Sequence, residues 1–262
     1  MAEALSTIII PTFNRPNSLR RCLDSLDNQT DKRFKIKISE EPGRLSEIRN
    51  KAARHCDTPL ISFIDDDVFC TPDWFRGVAS GFTNPNIAGV SGRAVITEAF
   101  RGNRDIFKYR AVKRAYDAVF LRGKAGLPGH ITEAGAWTTG ACNADCDYVG
   151  RVDFLEACNM TFRRDIFEKA GGFDEGYVGV GDWSEPDLCF RIRRLGYSLH
   201  FSGDATLYHE PSCDGAFKKR KADAQNRLGN YLRFAGRWVK PHWRHTLYKL
   251  FLRGYYSWQS VR

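Results

Sequence analysis

The feature that most constrains the fold is a short apolar run that ends in three acids. Leu60–Ile64 is apolar and partly β-branched, it follows a turn-like segment at 57–59, and Asp65, Asp66 and Asp67 come directly after it. Such a run is typical of a buried strand in a parallel sheet, where ligands bind beyond the carboxyl ends of the strands. Adjacent carboxylates repel one another, so a divalent cation shared with a substrate diphosphate would stabilise them.

Two simpler interpretations of the acidic triplet stay open. The acids could cap the following segment, because residues 71–74 have the sequence of a helix start, or they could form a solvated loop. The buried strand in front of the acids favours the metal site over both.

Three predicted strands alternate with two predicted helices in the first quarter of the chain. Strands are predicted at 6–10, 34–38 and 60–64, and apolar residues at intervals of three and four predict helices at 19–26 and 45–53. This order predicts an α/β fold with a mainly parallel sheet that is covered by helices. The remaining elements are expected as strands at 87–90, 154–162, 198–201 and 206–208 and as helices at 106–121, 164–170 and 186–195.

A second acidic segment precedes the helix expected at 186–195. Ser184 and Asp187 fit a capping box, and Asp187 can also pair with Arg191 one turn later. The box does not use Glu185, which could serve as a general base if it faces the same cavity as the metal.

Length and composition exclude several classes of protein. The 262 residues suit one large domain, with or without an appendage. No stretch approaches the ~20 apolar residues that cross a bilayer, and the first residues lack a signal-peptide pattern. The eight cysteines show no repeated metal spacing, and Cys142 and Cys146 would bind zinc only with two further ligands. These features predict a cytoplasmic protein with reduced thiols.

The positive charge of the chain lies in its last part. Residues 217–262 hold twelve Lys and Arg and one acid, a net +11 against +9 for the whole chain, so the rest carries −2. Aromatic residues alternate with these cations, and Lys218 to Lys221 adjoin. Three interpretations stay open: a tail at an anionic membrane surface, a nucleic-acid-binding segment, or helices that pack on the parent domain.

Together these segments resemble a glycosyltransferase of the GT-A fold, family 2 type, the group that includes rhamnosyltransferase-like enzymes. The matching segments occur in the family's order over residues 6 to 211. They are the opening segment 7–15, the Arg49-Asn50 helix, 63–67, the turn 172–175, 185–197 and 208–210. The resemblance implies a mixed, mainly parallel, Rossmann-like sheet flanked by helices.

The resemblance also implies roles for individual residues. Those expected to bind the nucleotide or the substrates are Pro11, Thr12, Arg15, Glu40, Arg49, Asp65, Asp66, Trp183 and Asp187. Asp67, in the family's Asp-X-Asp motif, would bind the Mn²⁺ or Mg²⁺ that bridges the diphosphate, and His209 would be a further ligand. Glu185 would be the catalytic base that takes the proton of the acceptor hydroxyl.

Two departures from the family pattern are visible. Ser184 stands where the family has Glu, and Glu185 stands where the family has the Asp base. A β-α-β portion before the Arg49 helix is missing, so Glu40 or Glu41 would lie near the nucleobase, or the base would be held with less selectivity.

The sequence thus predicts a GT-A domain at 1–211, with a nucleotide-binding half at 1–100 and an acceptor half at 101–211, and a basic, helical tail at 212–262. The expected reaction is a metal-dependent direct displacement with inversion, in which a sugar moves from a nucleotide-diphosphate donor to a carbohydrate or lipid-linked acceptor, as in polysaccharide biosynthesis. The alternatives are a non-catalytic sugar-nucleotide or glycan-binding relative, and a membrane- or nucleic-acid-binding module that acts through the tail. Nucleic acid is the least favoured partner. The expected location is the cytoplasm, with peripheral attachment to the inner face of the membrane as an alternative.

Overall fold

The computed structural model describes residues 3–96, 109–210 and 222–260. The expected boundary between the first domain and the tail, at 211 and 212, lies outside the described residues, as does the run of cations Lys218 to Lys221. The first residues of the helix expected at 106–121 also lie outside them.

In the described ranges, ten strands form a central sheet and a smaller one. They are β1 (Ser6–Thr12), β2 (Phe34–Glu40), β3 (Leu60–Ile64), β4 (Val68–Cys70), β5 (Ile87–Ser91), β6 (Ala94–Ile96), β7 (Gly150–Val152), β8 (Asn159–Arg163), β9 (Ser198–Phe201) and β10 (Leu207–His209). The seven-stranded sheet has the order β2-β1-β3-β8-β5-β9-β7, and β4, β10 and β6 form the three-stranded one. Strands β7 and β8 run against the other five of the large sheet. The predicted mixed, mainly parallel sheet is therefore confirmed.

Helices cover both faces of this sheet. They are α1 (Pro16–Asp27), α2 (Leu45–Ala53), α3 (Trp74–Gly81), α4 (Arg110–Tyr116), which continues as a π-helical turn (Asp117–Leu121), α5 (Arg164–Lys169), α6 (Ser184–Arg194), α7 (Ala224–Trp238) and α8 (Trp243–Ser260). Successive isoleucines of β1 point to opposite faces because side chains alternate along a strand. Ile8 and Ile10 pack with Trp74 of α3, whereas Ile9 packs with Leu188 of α6. Burial on both faces explains the continuous apolar run in β1.

Strand β2 forms one edge of the large sheet. It pairs only with β1 among the described residues, and the side chains of Ile36 and Ile38 are 37% and 41% exposed. An edge strand that leaves two isoleucines half-exposed is what we expect if the sheet lacks elements that cover this edge in longer relatives.

Two local predictions were wrong. The strand expected at 154–162 begins only at Asn159, because Phe154 and Leu155 enter the core from a loop, where the Leu155 amide donates to the Cys189 thiol at 3.4 Å. The capping box at α6 does not form. Trp183 is the N-cap residue, with φ of +79° and no side-chain cap. The predicted pairing of Asp187 with Arg191 is present, at 2.9 Å.

The last two helices pack on the rest of the chain. Tyr231 and Phe234 of α7 and Tyr248 of α8 are buried in one cluster with Trp183 and Phe120. For these rings the structure agrees with the interpretation of the tail as helices that pack on the parent domain. No helix of the described residues is long and apolar enough to span a bilayer.

Candidate functional site

The acidic triplet meets the end of β1 because β1 and β3 are parallel neighbours. Asp66 is 1% exposed; its carboxylate accepts a hydrogen bond from the Thr12 hydroxyl at 2.5 Å and pairs with Arg15 at 2.5 Å. Arg15 also donates to Asp67 Oδ2, at 2.7 Å. Thus Thr12, Arg15 and two of the aspartates are brought together as expected. Through its bonds to Thr12 and Arg15, Asp66 holds the segment that follows β1 in place.

Asp65, Asp67 and His209 form a group that could hold a metal ion. One ligand atom from each side chain lies within 4.8 Å of the other two. Strand β10 supplies the histidine, because its antiparallel pairing with β4 places His209 opposite Val68, next to Asp67. Carboxylate oxygens with one imidazole suit Mn²⁺, and the carboxylates suit Mg²⁺. The residues present therefore fit the metal that the sequence predicts.

The three aspartates differ in their pKa values. Burial raises the pKa of Asp66 to about 6, against the opposing hydrogen bond from Thr12. Burial also acts to raise the pKa of Asp67, but the hydrogen bond from His209 and the charge of Arg15 outweigh it and lower the pKa to about 2. Burial raises the pKa of Asp65, with Arg49 opposing. Asp67 is thus the carboxylate that is most readily ionised and able to bind a cation.

Arg49 connects this group with the second acidic segment. Its guanidinium is 1% exposed and donates to Glu185 Oε1 at 2.8 Å and to Asp65 Oδ1 at 3.2 Å. A further bond from Nη2 reaches the carbonyl of Ala157, at 3.2 Å. Helix α2, the end of β3 and the start of α6 therefore meet at a single side chain.

The neighbouring Asn50 fixes the position of α2. Its amide group donates to the carbonyl of Phe173 and accepts from the Phe173 amide, both at 2.8 Å. Gly172 has φ of +64°, and a Cβ there would lie 2.6 Å from Asn50 Oδ1, so a glycine is required for this approach. The turn after α5 thereby orients the helix that presents Arg49.

Glu185 lies in the first turn of α6 and is 7% exposed. Burial raises its pKa, while the ion pair with Arg49 opposes the rise. Sequence reasoning missed a second carboxylate near it, Glu156. Burial and the nearby Glu185 raise the pKa of Glu156 to about 7, with His209 opposing. The sequence did contain a signal, because Glu156 is an acid within the apolar run 154–162, but that run was interpreted as a strand.

Two expected substrate-binding residues point away from the acidic group. Asp187 is fully buried, and its carboxylate accepts bonds from Arg191 at 2.9 Å, Arg237 at 3.1 Å and Trp238 at 2.8 Å. Trp183 is 3% exposed and stacks on Trp137 within the cluster that holds the last two helices. The structure therefore does not bring these two side chains to Asp65 and Asp67.

The remaining expected residues lie at the open end of β1 and β2. Glu40 is exposed and is the register partner of Thr12, and the half-buried Pro11 is the partner of Ser39. Phe13, which sequence reasoning did not select, follows with half of its side chain exposed.

A cleft of about 840 Å³ lies elsewhere, behind α6. Its lining includes Lys169, Arg191, Arg194, Arg237 and Trp238, and none of the residues of the acidic group. The acidic group at the strand ends is thus separate from this cleft.

The fold matches solved nucleotide-sugar-dependent transferases. A mannosyltransferase from Pyrobaculum calidifontis, solved with GDP-mannose and Mn²⁺, superposes with a TM-score of 0.59 at 16% identity, over 100% of this chain and 73% of that one. The fold of this chain is therefore the GT-A fold. The chain belongs to glycosyl transferase family 2, whose model matches residues 7–40 and 31–170. Residues 31–40 fall in both matches, as expected if β2 stands for two of the family's strands.

Relatives by sequence agree with the family. An O-antigen biosynthesis protein of Myxococcus xanthus is 24% identical over 265 residues, which are 90% of this chain and 19% of that protein. Validoxylamine A glucosyltransferase of Streptomyces hygroscopicus subsp. jinggangensis is 24% identical over 236 residues, 76% of this chain and 52% of the enzyme. The chain thus spans about a fifth to a half of these relatives. Membership of glycosyl transferase family 2 agrees with the family that the sequence predicted.

Proposed function

We propose that this glycosyltransferase moves a sugar from a nucleotide-diphosphate donor, bound through a divalent metal at Asp65, Asp67 and His209, to an acceptor hydroxyl, with inversion at the sugar carbon. The observation that carries the proposal is the bridge made by Arg49, which joins Asp65 to Glu185 through one buried guanidinium. The proposed donor-binding residue Asp65 and the candidate base Glu185 thus contact the same side chain.

The metal ligands support the donor half of the proposal. Asp67 is ionised at neutral pH because its pKa lies near 2. A divalent ion bound here would neutralise the charge that grows on the departing diphosphate. Arg15 now pairs with Asp66 and Asp67, and we infer that it turns to the diphosphate when Asp67 coordinates the metal.

Glu185 supports the acceptor half. A buried carboxylate with a raised pKa can accept the proton of an acceptor hydroxyl as that oxygen attacks the anomeric carbon. The bond from carbon to acceptor oxygen forms as the bond to the diphosphate breaks, and the proton goes to Glu185. Arg49 holds the carboxylate in place and keeps it beside Asp65.

The nucleobase, in this proposal, lies between Glu40 and the ring of Phe13. Thr12 and Glu40 are register partners at the ends of neighbouring strands, and Phe13 follows Thr12. Because β2 is an edge strand, this pocket is open on its outer side, and we expect weak preference between bases. Thermal-shift titrations with UDP, GDP and dTDP in Mn²⁺ test this; a preference of a hundredfold for one base contradicts it.

The proposed acceptor is a carbohydrate or a lipid-linked glycan, of the kind built in polysaccharide biosynthesis. The support is the name of the Myxococcus relative, an O-antigen biosynthesis protein. We propose a cytoplasmic location, with attachment to the inner face of the membrane.

Turnover of a panel of nucleotide sugars with glycan acceptors in Mn²⁺ tests the proposed reaction. Glu185→Gln removes the base without changing the shape of the side chain, and we expect a loss of kcat of about 10³-fold with donor affinity retained. Glu168→Gln, an exposed acid of α5, is the matched control. A Glu185→Gln enzyme within tenfold of the wild type would remove Glu185 from the mechanism, and an α-configured product from an α-linked donor would exclude inversion.

A further inference from the structure

Helix α8 carries an apolar stripe on the side that faces away from the protein. Trp243, Leu247 and Leu250 recur at intervals of four and three, so they share one face, and they are 57%, 43% and 57% exposed. The opposite face of the helix is buried, through Tyr248 and Leu252. The stripe is therefore separate from the surface by which α8 packs on the domain.

The cations near this stripe differ from those of the preceding helix. In α7, Arg227 pairs with Asp182, and Arg233 and Arg237 pair with Asp174. Cations that face the domain are thus neutralised by its acids.

Around α8 the cations are not neutralised. Among the described residues, no acid lies within ion-pair distance of Lys240, Lys249 or Arg253, and residues 224–260 contain no Asp or Glu. Arg244 is held over the ring of Trp243, at 4.2 Å. The exposed apolar stripe is therefore bordered by uncompensated positive charge.

A second exposed apolar surface adjoins α8. Tyr116, at the end of α4, packs on Phe251 with ring centroids 5.5 Å apart. On the outer side of α4 and its π-helical turn, Tyr109, Val112 and Val119 are at least 36% exposed. The apolar area is thus wider than one helix, although it lies in a chain with a strongly polar average composition.

We propose that the outer face of α8, defined by Trp243, Leu247 and Leu250, docks on an anionic phospholipid bilayer together with the neighbouring cations Lys240, which precedes the helix, Lys249 and Arg253. Tryptophan and leucine side chains enter the headgroup region of a bilayer, while neighbouring cations meet lipid phosphates. Flexible Lys and Arg side chains can hold their charge in the aqueous layer as their stems lie along the apolar stripe. This inference goes beyond the sugar transfer and does not depend on it.

Two other partners fit the surface less well. Single-stranded nucleic acid binds by stacking on free aromatic faces, but a face of Trp243 is covered by Arg244. A second copy of the chain would bring two positively charged faces together, which like-charge repulsion opposes.

Vesicle flotation of the full chain, without metal or donor, tests the proposal. We expect binding to vesicles of phosphatidylcholine with 30% phosphatidylglycerol that weakens at high salt. The triple variant Trp243→Ser, Leu247→Ser, Leu250→Ser should lose at least about tenfold in partition coefficient, because it removes the apolar contact. The charge variant Lys240→Gln, Lys249→Gln, Arg253→Gln should bind anionic vesicles no better than neutral ones.

The matched control removes exposed apolar residues far from α8. Val149→Ser with Ile36→Thr alters side chains that are 76% and 37% exposed, and this variant should bind vesicles like the wild type. Equal binding of the wild type and the α8 triple variant overturns the proposal, as does a wild type that stays with the soluble fraction. Dimerisation or RNA binding that the triple variant loses, without vesicle binding, would assign the face to those partners.

Discussion

The acidic edge of the sheet and the junction of α6 with α7 both bury carboxylates beside arginines, but they balance the charges differently. At the junction, Asp187 accepts three hydrogen bonds, two of them from arginines. Asp174 is held by Arg233 and Arg237; burial acts to raise its pKa, but the Gly176 amide and the arginines outweigh it and lower the pKa to about 2. The junction is thus electrostatically satisfied.

At the sheet edge, acids outnumber cations among the described residues. The acids are Asp65, Asp66, Asp67, Glu156 and Glu185, and the cations are Arg15 and Arg49, with the imidazole of His209 beside Asp67. Burial raises the pKa of four of these five acids. An incompletely compensated acidic group costs stability in the free protein but creates affinity for a cation, whereas a compensated group anchors helices. Helix α6 takes part in both regions through Glu185 and Asp187. Side chains that are two positions apart in the sequence point in directions about 200° apart around a helix.

The strongest test of this contrast is Asp67→Asn. The carboxamide keeps the size of the side chain but removes the charge that we propose binds the metal, so we expect turnover to fall by about 10³-fold or more. Steady-state kinetics with saturating Mn²⁺ measure the change, and Asp204→Asn, an exposed aspartate, is the control. Retention of more than a tenth of the activity would remove Asp67 from the metal site.

The second test is Asp187→Ala, on the other side of α6. It removes the acceptor that Arg191, Arg237 and the Trp238 ring nitrogen share, and we expect the free energy of unfolding to fall by about 3 kcal/mol. Urea denaturation measures this loss, while turnover per folded molecule should change less than about threefold. A selective loss of donor affinity in Asp187→Asn would instead support the substrate-binding role that the sequence suggested.

A bound metal should stabilise the folded protein only through the acidic edge of the sheet. Mn²⁺ at about 100 times its dissociation constant should add about 2.7 kcal/mol to the free energy of unfolding, because it binds the folded state alone. Denaturation with and without EDTA measures the gain, which Asp67→Asn should abolish and Asp174→Asn should retain. Equal gains in both variants would place the ion elsewhere.

The smallest expected effect is the pH dependence of Glu156. Its pKa is about 7 in the folded protein against an ordinary value of 4.5, so the folded state binds the proton more tightly. Its contribution to stability is complete below pH 4.5 and is lost as the pH rises through 7. Glu156→Gln should therefore exceed the wild type in stability by more at pH 8 than at pH 5, where most of the difference has vanished. Denaturation in EDTA at both pH values checks this, and a constant difference would contradict it.

Local pattern predicted most of the first half of the fold. The strands that became β1, β2 and β3 and the helices that became α1 and α2 were all expected, because side-chain periodicity and turn residues act over a few neighbours. The same reasoning placed the loop ends of these strands at one edge, since strand ends gather there in a parallel sheet, whereas the roles of Thr12 and Arg15 came from the family resemblance. The metal and base assignments remain predictions.

The errors have a common cause. Phe154 and Leu155 are apolar because the core needs them, and not because they pair in a sheet. Ser184 and Asp187 have the spacing of a capping box, but Asp187 finds stronger partners in Arg237 and Trp238, which are about fifty residues later. In both cases tertiary contacts overrode a local pattern.

The sequence by itself determined the class of this protein: an apolar strand that ends in acids, the order of the elements and the family. Only the tertiary structure determined which partner each charged side chain contacts. It turned Glu185 toward Arg49 and Asp187 toward α7, and it left the stripe of Trp243 outside. Backbone hydrogen bonds and side-chain periodicity depend on residues that are a few positions apart in the sequence. The partner of a buried charge depends on how helices that are distant in the sequence pack together.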